Sequence, residues 1–339
     1  MIEKKAAKIL ARAIKKADPI IIAKHQHPDW DADGSAFGLA YLLKASYPRK
    51  KIYVVGDRLT KNKDFEPGTA WESKQVYPST TLLITVDTAN LERLDFKGFA
   101  DMPHTIKIDH HPDTDPYAQY NLVDDSAIAC AQMIVQLAQI LKWKWTPEAA
   151  NYLYKGILTD SGRFLHAKTN AETFEAAAFV NKKGVNFQKV NDELYVDCLK
   201  NRQWWNYAFN KMTISQQGVA SLVLLPSDYE DRKLNYEQIK SALSIMSGIE
   251  EIKIWVLVVE WKNDLKVSLR SRKYDVASIA QKYHGGGHKL AAGAKLETLE
   301  NVTTLVNDLN SLIVQTDTQS KKTIHQPQEN KESKKHGTS

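Results

Sequence analysis

Cysteine is nearly absent from these 339 residues. Cys130 and Cys198 stand far apart without a C-x-x-C spacing, which excludes a disulfide framework and a thiolate metal site. Both read as packing residues. No apolar run approaches the roughly 20 residues that span a bilayer, and Met1 to Asp18 lacks the apolar core of a secretory signal. A cytoplasmic protein with no membrane partner is the expectation. Internal repeats and heptad arrays are missing too. Charge of one sign is in only mild excess: a net +6 favours polyanionic partners such as nucleic acid without demanding them. Part of that excess lies in Thr316 to Ser339, a Lys-, Gln-, Ser- and Asn-rich stretch with too few apolar residues to fold, so residues 316–339 are set aside as a disordered tail.

Hydrophobic side chains make up 43% of a chain this long, enough for two domains with cores of their own. Ile2 to Ala17 places Ile2, Ala6, Ile9, Leu10 and Ile14 near one helical face with lysines around the rest, which predicts a packed amphipathic helix rather than a membrane-surface one. Beyond it, the apolar runs Ile20 to Ala23, Ile52 to Val55, Leu82 to Val86 and Ile106 to Ile108 read as buried strands. They alternate with helical stretches at Ser35 to Ala45, Ala129 to Leu141 and Pro147 to Leu158, the last opened by Thr146 as cap. The alternation predicts an α/β fold with a mainly parallel sheet in the N-terminal domain. A helix is also expected over Ala171 to Gly184. Residues 191–210 read as a polar, tryptophan-bearing connector between a first domain, 1–190, and a second, 211–315. The second has β-rich runs at Val219 to Leu225, Ile252 to Val259 and Leu265 to Leu269, with helices at Tyr236 to Met246, Val276 to Tyr283 and Glu300 to Leu312. It reads as a smaller α+β domain across a cleft from the first.

Four segments carry chemistry. After the first strand, His25-Gln-His-Pro-Asp29-Trp-Asp31-Ala-Asp33-Gly-Ser35 packs two histidines and three acids into what reads as a strand-to-helix loop, where Asp29 and Asp31 can point the same way. Asp87 ends the strand Leu82 to Val86. Asp109-His110-His111 ends the next, and Asp160 closes the apolar helix before Ser161-Gly162-Arg163-Phe164. Open α/β sheets keep their sites at such carboxyl ends. A single Asp here reads as a helix cap; four elements delivering Asp or His to one edge read as a site. The carboxylate and imidazole mixture suits Mn²⁺, with Mg²⁺ or Co²⁺ as substitutes, and holds enough carboxylates for two ions with open positions. A metal pair roughly 4 Å apart is suited to hydrolytic phosphoryl chemistry.

These clusters, in this order, resemble the DHH phosphoesterase superfamily, whose Asp-His-His stands here at Asp109, His110 and His111. Val267 to Arg272 and Gly285-Gly286-Gly287-His288 resemble the substrate domain associated with that superfamily. Together they look most like oligoribonucleases of the NrnA type, which also dephosphorylate 3′-phosphoadenosine 5′-phosphate (PAP). The resemblance implies that His25, Asp29 and Asp87 hold one metal and Asp31, Asp87, His110 and Asp160 the other, with Asp87 bridging. It implies a catalytic group of Asp87, His111 at the scissile phosphate and Asp109 orienting the histidines. Substrate contacts would come from His111, Arg270, Arg272, Gly286, Gly287 and His288, the glycines admitting a phosphate close to backbone N–H groups and the two arginines sharing one strand face. His27 and Asp113 receive no role.

The expected function is therefore a two-metal phosphoesterase that hydrolyses short oligoribonucleotides to nucleoside 5′-monophosphates and removes the 3′ phosphate of PAP, with a homodimer allowed. Linear or cyclic diadenylate is the rival substrate and pyrophosphate the third. A non-catalytic nucleotide- or RNA-binding protein is the alternative of another class. The chain departs from the superfamily's pattern at Trp30, at Asp33, an extra acid expected to bear on the metals, and at Ser126 to Gln132, expected to bear on substrate preference; Lys289 and Ala292 differ as well. Trp143, Trp145, Trp204 and Trp205 offer base-stacking surfaces but read as packing. Phe164, Tyr283 and His284 are site candidates by proximity alone.

Overall fold

A computed structural model describes residues 2–60, 62–65, 71 and 76–324, with side chains through residue 319. They fall into two compact units that divide between Val196 and Asp197. No helix among the described residues is long and apolar enough to cross a membrane.

In the first unit, helix α1 (Lys4–Lys16) buries Ala7, Leu10 and Ile14 and leaves its lysines outward. Strand β1 (Ile20–Ala23) is buried throughout, because β-branched Ile20, Ile21 and Ile22 pack on both faces of a covered sheet, each contributing about 2 kcal/mol of apolar burial. Helix α2 (Trp30–Ser46) follows, then β2 (Ile52–Val54), β3 (Leu82–Val86), β4 (His104–Asp109) and β5 (Tyr120–Val123). The strands pair in parallel in the order β2-β1-β3-β4-β5. From β1 the chain runs outward to β2 and then crosses to β3 on the other side. This leaves a crevice at the carboxyl ends of β1 and β3, where doubly wound sheets bind ligands.

Helices α3 (Cys130–Ile140), α4 (Pro147–Asp160), α5 (Ala171–Asn181) and α6 (Phe187–Tyr195) complete the unit. Thr146 caps α4 as expected, its Oγ1 accepting from Ala149 N. Gly34 and Gly156 let α2 and α4 meet closely: a Cβ on Gly34 would sit 2.5 Å from Tyr152 O, and one on Gly156 2.6 Å from Asp31 Oδ1.

The second unit opens with α7 (Leu199–Lys211). Strands β6 (Thr213–Ile214), β7 (Val219–Leu224), β8 (Ile254–Trp261), β9 (Asp264–Ser271), β10 (Gly286–His288) and β11 (Ala291–Leu296) build one mixed sheet. Its order is β10-β11-β9-β8-β7-β6, antiparallel except for β7 beside β8. Val256, Val258, Val267 and Leu269 pack one face against Leu305, Leu309 and Ile313; Leu222, Leu224, Trp255 and Leu257 pack the other around Trp204. Short helices α8 (Pro226–Tyr229), α9 (Tyr236–Lys240) and α10 (Val276–Lys282) lie between strands, and α11 (Asn301–Ile324) ends the description.

Three expectations need correction. Residues 191–210 are not a loose connector: α6 runs to Tyr195 and α7 begins at Leu199. The tail beginning at residue 316 starts too early, since α11 continues to Ile324; Asp317 is held there by Lys253, Lys273 and the Tyr274 hydroxyl. Residues 325–339 of that tail lie outside the described residues. The segment after His25 is helix from Trp30 onward, with Asp29 as its cap.

Candidate metal centre

The sequence around Asp29 starts a helix because Asp29 Oδ1 accepts from Asp31 N and Ala32 N, both at 3.0 Å, satisfying two otherwise unpaired N–H groups of the first turn. Its other oxygen, Oδ2, lies 3.8 Å from His25 Nε2. His25 Nδ1 donates to Gln26 O at 2.8 Å, which leaves Nε2 as the ring's free nitrogen, aimed also at Asp87 Oδ2, 3.5 Å away. In the first turn of α2, Asp31 is fully buried. Cys130 N and Ala131 N, the first N–H groups of α3, donate to its two oxygens at 2.6 and 3.0 Å. A helix N-terminus thus fixes this carboxylate.

Asp87 follows β3 at φ +49, a left-handed conformation unfavourable for a non-glycine residue. Such strain is found where function holds a side chain in place. The residue is 2% exposed, and its Oδ1 has no hydrogen-bond partner. That oxygen lies 3.3 Å from His110 Nε2 and 3.7 Å from His111 Nδ1. His110 Nε2 also faces Asp160 Oδ2 at 3.4 Å and Asp31 Oδ2 at 3.7 Å. Three sets of donors each close to within 4.8 Å: His25, Asp29 and Asp87; Asp31, His110 and Asp160; Asp87, His110 and His111. Asp87 belongs to two of them, at the sheet's crevice.

The electrostatics are those of an overcrowded anionic site. Burial pushes the Asp160 carboxyl up, the charges of Asp87 and Asp29 add to the effect, and it reaches about 7. Burial, then Asp87 and Asp160, raise Asp31 as well. Burial opposes charging of His25 and His110, but the facing carboxylates overcome it and lift both imidazoles to about 10. Asp87 goes the other way: burial is outweighed by the facing imidazoles of His110 and His25, and its pKa falls. A buried carboxylate oxygen without a partner, set among hard and borderline donors, fits divalent metal ions.

His111 is half-exposed, and Asp109 Oδ1 accepts from its Nδ1 at 2.8 Å and from His110 N at 2.9 Å. Beneath this layer lie two residues that the sequence reading missed, the fully buried lysines Lys24 and Lys107. Lys107 Nζ lies 3.4 Å from Asp109 Oδ2 and 3.3 Å from Asp113 Oδ1, and donates to Ala89 O and Asp115 O. Asp113 thereby gains a role. Lys24 Nζ lies 3.3 Å from Asp33 Oδ1 and donates to Val55 O and Asp57 O, while Asp33 Oδ2 accepts from Leu59 N. Among the described residues, the lysine ammonium groups are what face the buried Asp33 Oδ1 and Asp109 Oδ2. The extra acid Asp33 is therefore neutralised by Lys24 and ties α2 to the loop after β2. A lysine ending or interrupting an apolar strand was the available signal.

Of the other departures, Trp30 carries the Lys155 ammonium 4.5 Å over its ring, and Gln132 is buried, accepting from the Thr173 hydroxyl. In the second unit, Gly286-Gly287-His288 is an edge strand rather than a loose turn. A Cβ on Gly285 would meet Gly293 O at 2.0 Å and one on Gly287 would meet Ala291 O at 2.6 Å, whereas Gly286 has open space. His288 pairs with Ala291, and Ala291 with Arg270, so His288 and Arg270 share a sheet face. Arg272 does not continue that row: β9 ends at Ser271, and the Arg272 guanidinium donates to Ile249 O. Trp143 and Trp204 are core residues, Trp145 packs on Phe179, and Phe164 stacks on Phe174.

The comparisons agree with this architecture. The model for the N-terminal domain of the DHH family matches residues 19–157, and that for the DHHA1 domain matches residues 216–315. The chain belongs to the DHH family of metal-dependent phosphoesterases, in the branch that carries a DHHA1 domain. It is 33% identical over 311 residues to the bifunctional oligoribonuclease and PAP phosphatase NrnA of Mycoplasma pneumoniae, covering 89% of this chain and 94% of that one. The enzyme of the same name from Bacillus subtilis is 32% identical over 89% of this chain and 97% of its own length. An exopolyphosphatase-related protein from Bacteroides fragilis superposes with a TM-score of 0.80 at 19% identity, over 92% of this chain and 97% of its own, a likeness of fold.

Proposed function

We propose that this protein hydrolyses short oligoribonucleotides to nucleoside 5′-monophosphates and removes the 3′ phosphate of PAP, in the cytoplasm, with two Mn²⁺ ions. The observation that carries the reading is Asp87, a strained, buried acid with an unpartnered oxygen that is shared by two donor sets. His25, Asp29 and Asp87 would hold one ion; Asp31, Asp87, His110 and Asp160 the other. When bound, such a pair supplies Lewis acidity, an activated water and neutralisation of charge on the phosphoryl oxygens.

The protein's own groups do the positioning. Carbonyls and amides fix His25, Asp29 and Asp31, so the donors do not reorganise when charge develops. Asp109, accepting from His111 Nδ1, orients the ring and leaves Nε2 to contact the scissile phosphate and hand a proton to the leaving oxygen. Arg270, His288 and the unobstructed Gly286 supply donors for a substrate phosphate.

The test is product analysis with Mn²⁺ on a di- or trinucleotide RNA, PAP, linear diadenylate and pyrophosphate, with Asp87→Ala as control. Monophosphate release from RNA and phosphate release from PAP, both abolished by the substitution, are expected. Cleavage of diadenylate or pyrophosphate alone would overturn the substrate, and nucleotide binding without turnover would make the protein a binder.

A further inference from the structure

The first helix is strongly cationic. Residues 1–17 hold six cations, Lys4, Lys5, Lys8, Arg12, Lys15 and Lys16, against the single acid Glu3, so this segment carries +5 of the +6 total. All six are exposed, and among the described residues none is held in an ion pair. Most of the helix's apolar side is occupied: Ala7, Leu10 and Ile14 are fully buried in the first unit's core, so little apolar surface is left to insert into a lipid surface.

Beside this helix, at the amino ends of β3, β4 and β5, lies a cavity of ≈ 460 Å³. Arg12 and Lys16, one turn apart, line it together with His104 and Tyr120 and with apolar Ile9, Leu82 and Ile106, while the Thr80 and Gln119 side chains beside them bond Asp18 O and Pro103 O. Tyr120 begins the edge strand and is 50% exposed, its ring available for stacking. Two cations, a stackable aromatic and apolar side chains around one hollow match a nucleotide of a single strand: phosphate on the cations, base on the ring. The metal centre is at the other end of the same strands, about 16 Å away along β4 from His104 to Asp109. A di- or trinucleotide seated at Asp87 is too short to follow the surface around the sheet to this hollow.

We propose that Arg12, Lys16 and Tyr120 form a second, non-catalytic site for single-stranded RNA, which holds longer strands while the metal centre consumes short ones. The choice of polyanion rests on the functional reading above; the surface itself does not. The experiment is fluorescence anisotropy of the full chain with Mn²⁺ and a phosphorothioate-linked RNA of about 12 nucleotides, a length within the range single-strand sites cover. Wild type is compared with Arg12→Glu/Lys16→Glu and with Tyr120→Ala across a salt series.

Each variant is expected to bind the strand roughly tenfold more weakly, and the charge variant's slope of log affinity against log salt should flatten by about 1.4 for two lost phosphate contacts. Dinucleotide hydrolysis should stay at the wild-type rate in both. Unchanged binding of the long strand overturns the proposal, as does parallel loss of dinucleotide hydrolysis and melting temperature. Charge-dependent binding to phosphatidylglycerol vesicles in place of RNA would also overturn it. If wild type cleaves no dinucleotide but still binds the long strand through Arg12 and Lys16, the functional reading fails and the site stands.

Discussion

The carboxyl edge of the first sheet and the Arg270–His288 face of the second are both built from donors at strand positions, but they are held very differently. At the first, several groups are held from behind: Asp31 by the amino end of α3, His25 by a carbonyl, and Asp109, which holds His111, by a buried lysine. At the second, His288 is exposed on an edge strand, and among the described residues the Arg270 guanidinium donates to its neighbour's carbonyl at Leu269. Bond-making chemistry needs atoms fixed before charge develops, while gripping a phosphate tolerates a mobile donor.

The comparison breaks most readily at Asp87. Asp87→Ala should lower kcat with short RNA roughly a thousandfold, about 4 kcal/mol of barrier, with the fold retained by circular dichroism. Next in size is Lys107→Met, which leaves Asp109 Oδ2 and Asp113 Oδ1 without their shared cation. Urea unfolding should show a loss of about 3 kcal/mol, and turnover should fall with it because Asp109, which holds His111, loses its buried counter-ion. Within the second unit, Gly285→Ala should cost about 2 kcal/mol through collision with Gly293 O, whereas Gly286→Ala should stay within about 0.5 kcal/mol. Equal costs would mean the edge strand is packed otherwise.

A smaller effect separates grip from chemistry: Arg270→Ala should raise KM about tenfold and leave kcat nearly unchanged. A fall in kcat instead would give the two regions the same role. The last prediction concerns pH. His25 and His110 have folded-state pKa values raised to about 10, so the stability they give the metal-free protein is full below the unfolded value near 6.5 and is lost as pH rises through about 10. The melting temperature in chelator should therefore fall across that window. Added Mn²⁺ should stabilise increasingly over the same range, as protons stop competing for the donors.

Much of this was legible in the sequence because it is local. β1 and β3 announce themselves as β-branched runs with the same bounds as observed, and the acids and histidines that follow them are recognisable by position. What escaped depends on distant partners. The start of α2 looked like a loop because its three acids suggest solvent, yet acids favour a helix's first turn, and Asp33 is buried against Lys24. Lys107 looks like a surface residue until Asp109 and Asp113 close over it. β10 and β11 are built of Gly and Ala, which have little strand preference, and only pairing with β9 makes them a sheet. The end of α11 looked like a tail because its polar residues gain order from Lys253, Lys273 and Tyr274, far away in sequence.

The central claim is that Asp87 joins two metal positions in one centre. Calorimetric titration of the chelated protein with Mn²⁺ at pH 8, read alongside the electron paramagnetic resonance spectrum, tests it most directly. Two ions per chain with a spin-coupled spectrum, and loss of that coupling in Asp87→Ala, are the predicted results. A single ion per chain, or two coupled ions surviving in Asp87→Ala, would contradict it.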